Sequence, residues 1–115
     1  MEADQFSYEV TLDAAEEIDQ AISYYDLQFS SGAADFLTAF DDTILRILKM
    51  PEAGKRRSSI DQDIRGQQLV ADKGSDSYAK KFPYLLIYKV YSEKKKVIIF
   101  QLWPFTSSLP IKDQP

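Results

Sequence analysis

Phe82-Pro83-Tyr84-Leu85-Leu86-Ile87-Tyr88-Lys89-Val90-Tyr91, followed after Ser92-Glu93-Lys94-Lys95-Lys96 by Val97-Ile98-Ile99-Phe100-Gln101-Leu102-Trp103, is the stretch that decides the fold. Both arms are rich in β-branched and aromatic residues, which suit a pleated, half-buried surface, and the segment between them is polar and turn-like. The stretch predicts a β-hairpin. With Tyr91 set opposite Val97, the register puts Phe82, Tyr84, Leu86, Tyr88, Val90, Ile98, Phe100 and Leu102 on one face. That wholly apolar set needs a cover. The other face carries Leu85, Ile87, Lys89, Tyr91, Ile99, Gln101 and Trp103. Its mixed chemistry marks it as the place for a binding site; the opposing reading is an ordinary half-solvated sheet surface.

The cover lies upstream. Ser7 to Leu12 alternates, with Tyr8, Val10 and Leu12 on one side, as a half-buried strand does. Asp13 with Glu16 three places on makes a capping-box pattern, so a helix is expected from Ala14. Its stripe is Ala14/Ala15, Ile18, Ala21/Ile22, Tyr25 and Phe29. Ser30-Ser31-Gly32 breaks it, and a second helix is expected over 33–50, striped by Ala33, Leu37, Phe40, Ile44, Ile47 and Leu48, until Pro51 stops it. So short a break implies an antiparallel helical hairpin. Residues 52–63 read as a loop, Ile64 to Ala71 as a strand, and residues 72–77 as a second loop. The tail from Pro104 holds two more prolines and enters no central strand. The expected fold class is α+β: one domain, residues 1–115, with an N-terminal strand and an antiparallel helical hairpin packed on a mostly antiparallel C-terminal sheet.

At 115 residues the chain is long enough to bury a core without staples. It has no cysteine, which excludes a disulfide framework and any thiolate metal site and fits a reducing cytoplasm. It has no histidine either, so the side chain that titrates near neutrality unaided is missing. Met1 to Tyr8 carries no basic leader and no apolar stretch, and the longest apolar runs fall far short of the roughly 18 to 20 residues of a membrane span, so neither signal peptide nor membrane segment is expected. The net charge of −4 conceals a complete segregation: residues 1–45 hold eleven acids and no Lys or Arg, whereas the rest holds fourteen bases against seven acids. Either the acids simply keep the surface solvated, or one face repels polyanions while the other attracts them.

The order of elements and the local wording resemble the RelE/ParE superfamily, the toxins of type II toxin–antitoxin and plasmid stabilisation systems. The resemblance spans nearly the whole chain. It rests on Tyr8-Glu9-Val10-Thr11-Leu12, on Ala15, Ile18, Ala21 and Tyr24-Tyr25, on Phe36-Leu37, Ile44 and Met50-Pro51, and above all on Phe82-Pro83-Tyr84-Leu85-Leu86-Ile87-Tyr88-Lys89-Val90. Many relatives end the last strand with a histidine; Trp103 stands at or near that position here, and the segment between Arg65 and Phe82 is longer than usual.

Two activities follow from the resemblance. A RelE-like ribosome-dependent endoribonuclease must move a proton from the 2′-hydroxyl and stabilise a charged transition state. Arg65, Lys80, Lys81 and Lys89 can supply cations, with Arg56 and Arg57 as loop contacts, but without histidine the acid–base role has no evident holder. A ParE-like toxin instead binds a macromolecule such as DNA gyrase, and needs only a rigid face with aromatic and basic anchors. Arg65, Lys81, Lys89, Tyr91, Gln101 and Trp103 are the expected target-binding residues. A third reading keeps the fold as a non-toxic binding module. The partners implied are a cognate antitoxin and a large target, gyrase or, for the endoribonuclease, the ribosome with its mRNA, with no small-molecule substrate. No phosphate-cradling glycine loop, nucleophile turn or metal-ligand spacing is present, so no cofactor and no metal are expected.

Overall fold

A computed structural model describes residues 5–28, 31–56, 63–73 and 78–104. The expected Phe29 of the first stripe, the loop contact Arg57 and the tail beyond Pro104 lie outside the described residues. In chain order the elements are β1 (Ser7–Val10), α1 (Leu12–Gln28), α2 (Gly32–Lys49), a 3-10 turn (Pro51–Ala53), β2 (Lys55–Arg56), β3 (Ile64–Ala71), β4 (Lys80–Tyr91), a second 3-10 turn (Ser92–Lys94) and β5 (Lys96–Pro104). The strands form one sheet in the order β1-β5-β4-β3-β2. β1 runs parallel to β5; every other pairing is antiparallel. Both helices lie on one side, α1 chiefly against β5 and α2 against β3, so the α+β architecture read from the sequence is the one observed.

Helix α1 starts two residues earlier than expected, at Leu12 rather than Ala14, and its cap is Thr11 rather than Asp13. The Ala14 N–H donates to Thr11 Oγ1 at 3.2 Å, the reach of an N-cap hydroxyl to the third helical residue. Asp13 falls instead in the first turn, where its carboxylate faces the positive end of the helix dipole. Ala14, Ile18 and Ala21 are buried as expected, with Ile22 and Tyr25 packed beside them.

Helix α2 is rotated about its axis from the orientation its leucines suggest. Asp35, Phe36, Ala39, Thr43, Ile44 and Ile47 are buried, while Leu37, expected on the stripe, is 44% exposed. Hydrogen bonds accompany this orientation. Thr43 Oγ1 accepts from Val70 N–H at 3.2 Å and from Arg46 Nη2 at 2.9 Å, and Arg46 also donates to Val70 O and to Asp72, both at 2.9 Å. Asp42 accepts from Asp72 N–H at 2.8 Å. The row Asp42, Thr43, Arg46 thus satisfies the outer backbone groups of β3 beyond the two-residue β2, which an apolar stripe could not do.

The hairpin register differs from the expected one. Tyr91 pairs with Lys96 and Val90 with Val97, because Lys95 takes a left-handed conformation (φ 52°) that closes the turn one residue earlier. Further along, Ile87 pairs with Gln101 but Tyr88 with Ile99, leaving Phe100 as the extra residue of a β-bulge. Val97 and Ile99, rather than Ile98 and Phe100, therefore enter the core; beyond the bulge Leu102 returns to the expected side. The described part of the loop expected over 52–63 holds the end of the 3-10 turn, which begins at Pro51, and β2.

At one end of the helix–sheet interface Tyr25 stacks on Phe36 (centroids 5.6 Å, planes at 20°) and meets Phe82 edge-on at 5.1 Å. Burial, then the neighbouring Tyr84 phenol, pushes the Tyr25 pKa up to about 12, and burial also raises that of Tyr84. At the other end the fully buried Tyr88 donates its hydroxyl to Pro51 O at 3.1 Å; burial raises its pKa against the lowering influence of Gln67 and Arg65.

Candidate functional site

Alternation along β4 sends Lys80, Phe82, Tyr84, Leu86, Tyr88 and Val90 toward the helices and Lys81, Leu85, Ile87, Lys89 and Tyr91 away from them. The sides are fixed by contacts: Lys80 Nζ lies 3.6 Å from the buried carboxylate of Asp35 in α2, whereas neighbouring Lys81 is exposed. On the open face Trp103 stands opposite Leu85, Gln101 opposite Ile87, Ile98 opposite Lys89 and Lys96 opposite Tyr91. β3 continues the face with Gln68, Gly66 and Ile64, opposite Leu85, Ile87 and Lys89.

This face has an apolar centre and a charged margin. Ile87 is only 3% exposed yet stands apart from the core cluster beneath the helices, so neighbours on the open side shield it. Around it Leu85, Ile64, Ile98 and Trp103 are half-buried. At the margin the Lys89 ammonium sits 5.2 Å from the centroid of the Tyr91 ring, a cation–π distance, and Tyr91 is 38% exposed. Lys96 bonds Glu9 of β1 at 2.8 Å. Trp103 and Lys89 share the face, separated along the hairpin by four residues of register, about 13 Å at strand rise.

Five of the six expected target-binding residues, Lys81, Lys89, Tyr91, Gln101 and Trp103, are therefore brought to one surface. Arg65 is not among them. It pairs with Tyr88 and points to the helix side, where Nη1 donates to Glu52 O at 3.1 Å and Gly54 O at 3.0 Å, fastening the turn after α2. Gly54 is required there, since a Cβ would press on the Tyr88 hydroxyl and come within 3.0 Å of Gly66 O. Sequence reasoning missed Ile64, Gly66 and Gln68 as members of the open face, although their two-residue spacing was available. Two of the eleven acids of residues 1–45 do more than keep the surface solvated: Glu17 accepts from Leu102 N–H at 2.7 Å and Asp42 from Asp72 N–H.

Such a surface can hold a macromolecule by apolar contact, stacking and cationic contacts. The phenols with shifted pKa values, Tyr25, Tyr84 and Tyr88, all move up, away from the range of proton transfer near neutrality. No helix is long and apolar enough to cross a membrane among the described residues.

No curated protein matches the chain. A solved structure described as the chromosomal ParDE TA system from P. aeruginosa matches with a TM-score of 0.54 at 17% identity, covering 88% of this chain and 97% of its own, a likeness of fold. The family model for the ParE toxin of the type II toxin–antitoxin system, parDE, matches residues 8–104, and on that extent the chain belongs to the ParE toxin family.

Proposed function

We propose that this ParE-family chain works as a single cytoplasmic domain that binds a macromolecular target, DNA gyrase, through the open face of its sheet, and that a cognate antitoxin neutralises it. The supporting observation is the gathering of Lys81, Lys89, Tyr91, Gln101 and Trp103 on one face held rigid by β3, β4 and β5. Aromatic and cationic side chains around a desolvated apolar centre are the composition of binding hot spots. Binding of this kind needs no acid–base pair, which suits a chain without histidine. The test is a supercoiling assay with purified gyrase. Inhibition at micromolar chain, lost on adding the product of a short reading frame if one adjoins its own, is the expected result; full supercoiling activity at that concentration overturns the proposal.

A further inference from the structure

β1 covers only part of β5. Their pairing runs from Ser7 opposite Lys96 to Val10 opposite Ile99, and Thr11 N–H to Ile99 O, at 3.0 Å, is the last backbone bond across that border among the described residues. The chain then turns away into α1, while β5 continues to Pro104 with no described strand beside it. An uncovered strand edge is a template for another chain. Here Glu17 Oε1 accepts from Leu102 N–H at 2.7 Å, so a side chain of α1 stands where a neighbouring strand's carbonyl belongs. Next to that bond a hollow of about 430 Å3 is lined by Glu17, Gln20, Ala21, Tyr84, Leu102 and Pro104. The corresponding edge of β3 is closed differently, by Thr43 and Arg46, which bond both the N–H and the C=O of Val70.

We propose that the β5 edge over residues 100–104, with the adjoining flank of α1, docks an extended peptide segment that carries a lysine or arginine beside an apolar residue. The segment adds a short strand, and one of its carbonyls takes over Leu102 N–H. Glu17 then loses its donor in a half-buried position, a costly state unless a cation replaces it. The incoming base meets that need, and α1 favours it more broadly, with Asp13, Glu16, Glu17, Asp19 and Asp26 and no Lys or Arg. The apolar side chain fills the hollow against Ala21 and Tyr84. Main-chain bonds supply the hold and the alternate side chains the selectivity. A second copy of the chain fits poorly, because edge-to-edge pairing of two β5 strands sets Glu17 against its own counterpart. The proposal rests on the reading that an antitoxin neutralises the chain, and assigns the segment to that partner.

The test is amide hydrogen exchange on the full chain, alone and bound to its antitoxin, sought as the product of a short reading frame next to its own, for the wild type and Glu17→Ala. In free Glu17→Ala the Leu102 amide should exchange about tenfold faster or more than in the wild type, as expected for loss of a charge-assisted bond. Binding the partner should restore that protection and add protection across residues 100–103. An intact complex in which the variant's Leu102 still exchanges at its free rate overturns the inference and leaves the antitoxin reading standing. Failure of the wild-type chain to form any complex overturns both. Should Glu17→Ala not fold, the wild type and Glu17→Gln decide: added protection over 100–103 on binding supports the docking edge, and unchanged exchange there overturns it. Self-association of the free chain with protection at this edge assigns it to a second copy and likewise overturns the proposal.

Discussion

The Lys89 ammonium lies over the Tyr91 ring at 5.2 Å from its centroid, on the side of the sheet that no helix covers among the described residues. Two strand neighbours of one parity thus form a compact cationic and aromatic unit at the margin of the open face. Lys89→Ala and Tyr91→Ala should each weaken gyrase inhibition by about five- to thirtyfold, the effect of losing about 1–2 kcal/mol at a hot spot. Their urea midpoints should stay near that of the wild type. Supercoiling assays over a concentration series measure the first effect, and unchanged inhibition by both variants would remove the pair from the target interface.

Arg65 gives the opposite pattern. Its guanidinium holds Glu52 O and Gly54 O from the helix side, so Arg65→Ala should lower stability by about 1–3 kcal/mol, chiefly by orphaning the carbonyl of buried Gly54, while leaving inhibition per folded molecule unchanged. Both bonds leave from one nitrogen, and a lysine ammonium also carries more than one N–H donor, so Arg65→Lys should recover part of the loss. A variant that is fully stable but no longer inhibits would return Arg65 to the target-binding set.

Thr43 is fully buried and serves Val70 N–H and Arg46 together. Thr43→Val keeps the shape and deletes both bonds, which should cost about 1–3 kcal/mol in chemical denaturation. Thr43→Ser retains the hydroxyl and should cost less, near the roughly 1 kcal/mol of one buried methyl. Equal losses in the two variants would show that packing, not the bonds, orients α2.

At Gly54 an added Cβ meets the Tyr88 hydroxyl first, then Gly66 O and Gln67. Gly54→Ala should destabilise by about 1–3 kcal/mol, as overpacking does. Combining it with Tyr88→Phe should cost less than the sum of the two single changes, since the nearest obstructing atom is gone. Strict additivity in this double-mutant cycle would contradict the contact.

Alkaline pH should act through Tyr25. Its folded pKa, about 12, lies above the ordinary 10.0, so the fold favours the neutral phenol. The resulting stability is complete below pH 10.0 and is lost as the pH rises toward about 12. Denaturation midpoints measured across that window should fall less steeply for Tyr25→Phe than for the wild type; identical slopes would mean that this phenol does not couple ionisation to folding.

Element types and their order were legible because periodicity and punctuation are local: Ile64 to Ala71 emerges as β3 with the expected bounds, and Pro51 ends α2. The register was less so. A left-handed Lys95 and a bulge at Phe100 leave little trace in a sequence whose arms are apolar at nearly every position, so Ile98 and Ile99 exchanged sides. The orientation of α2 was hidden for another reason: Thr43 and Arg46 owe their positions to the backbone of β3, which lies more than twenty residues away. Lys89, Tyr91, Gln101 and Trp103 could be grouped because each lies on the same hairpin. Arg65 belongs to a different strand whose facing no short-range pattern fixed.

Trp103 is the chain's single tryptophan, and the hairpin sets it on the uncovered side opposite Leu85. The molecule therefore carries its own optical label at the place where a target is expected to land. Quenching or a blue shift of indole emission reports each arrival without dye, tag or added cysteine.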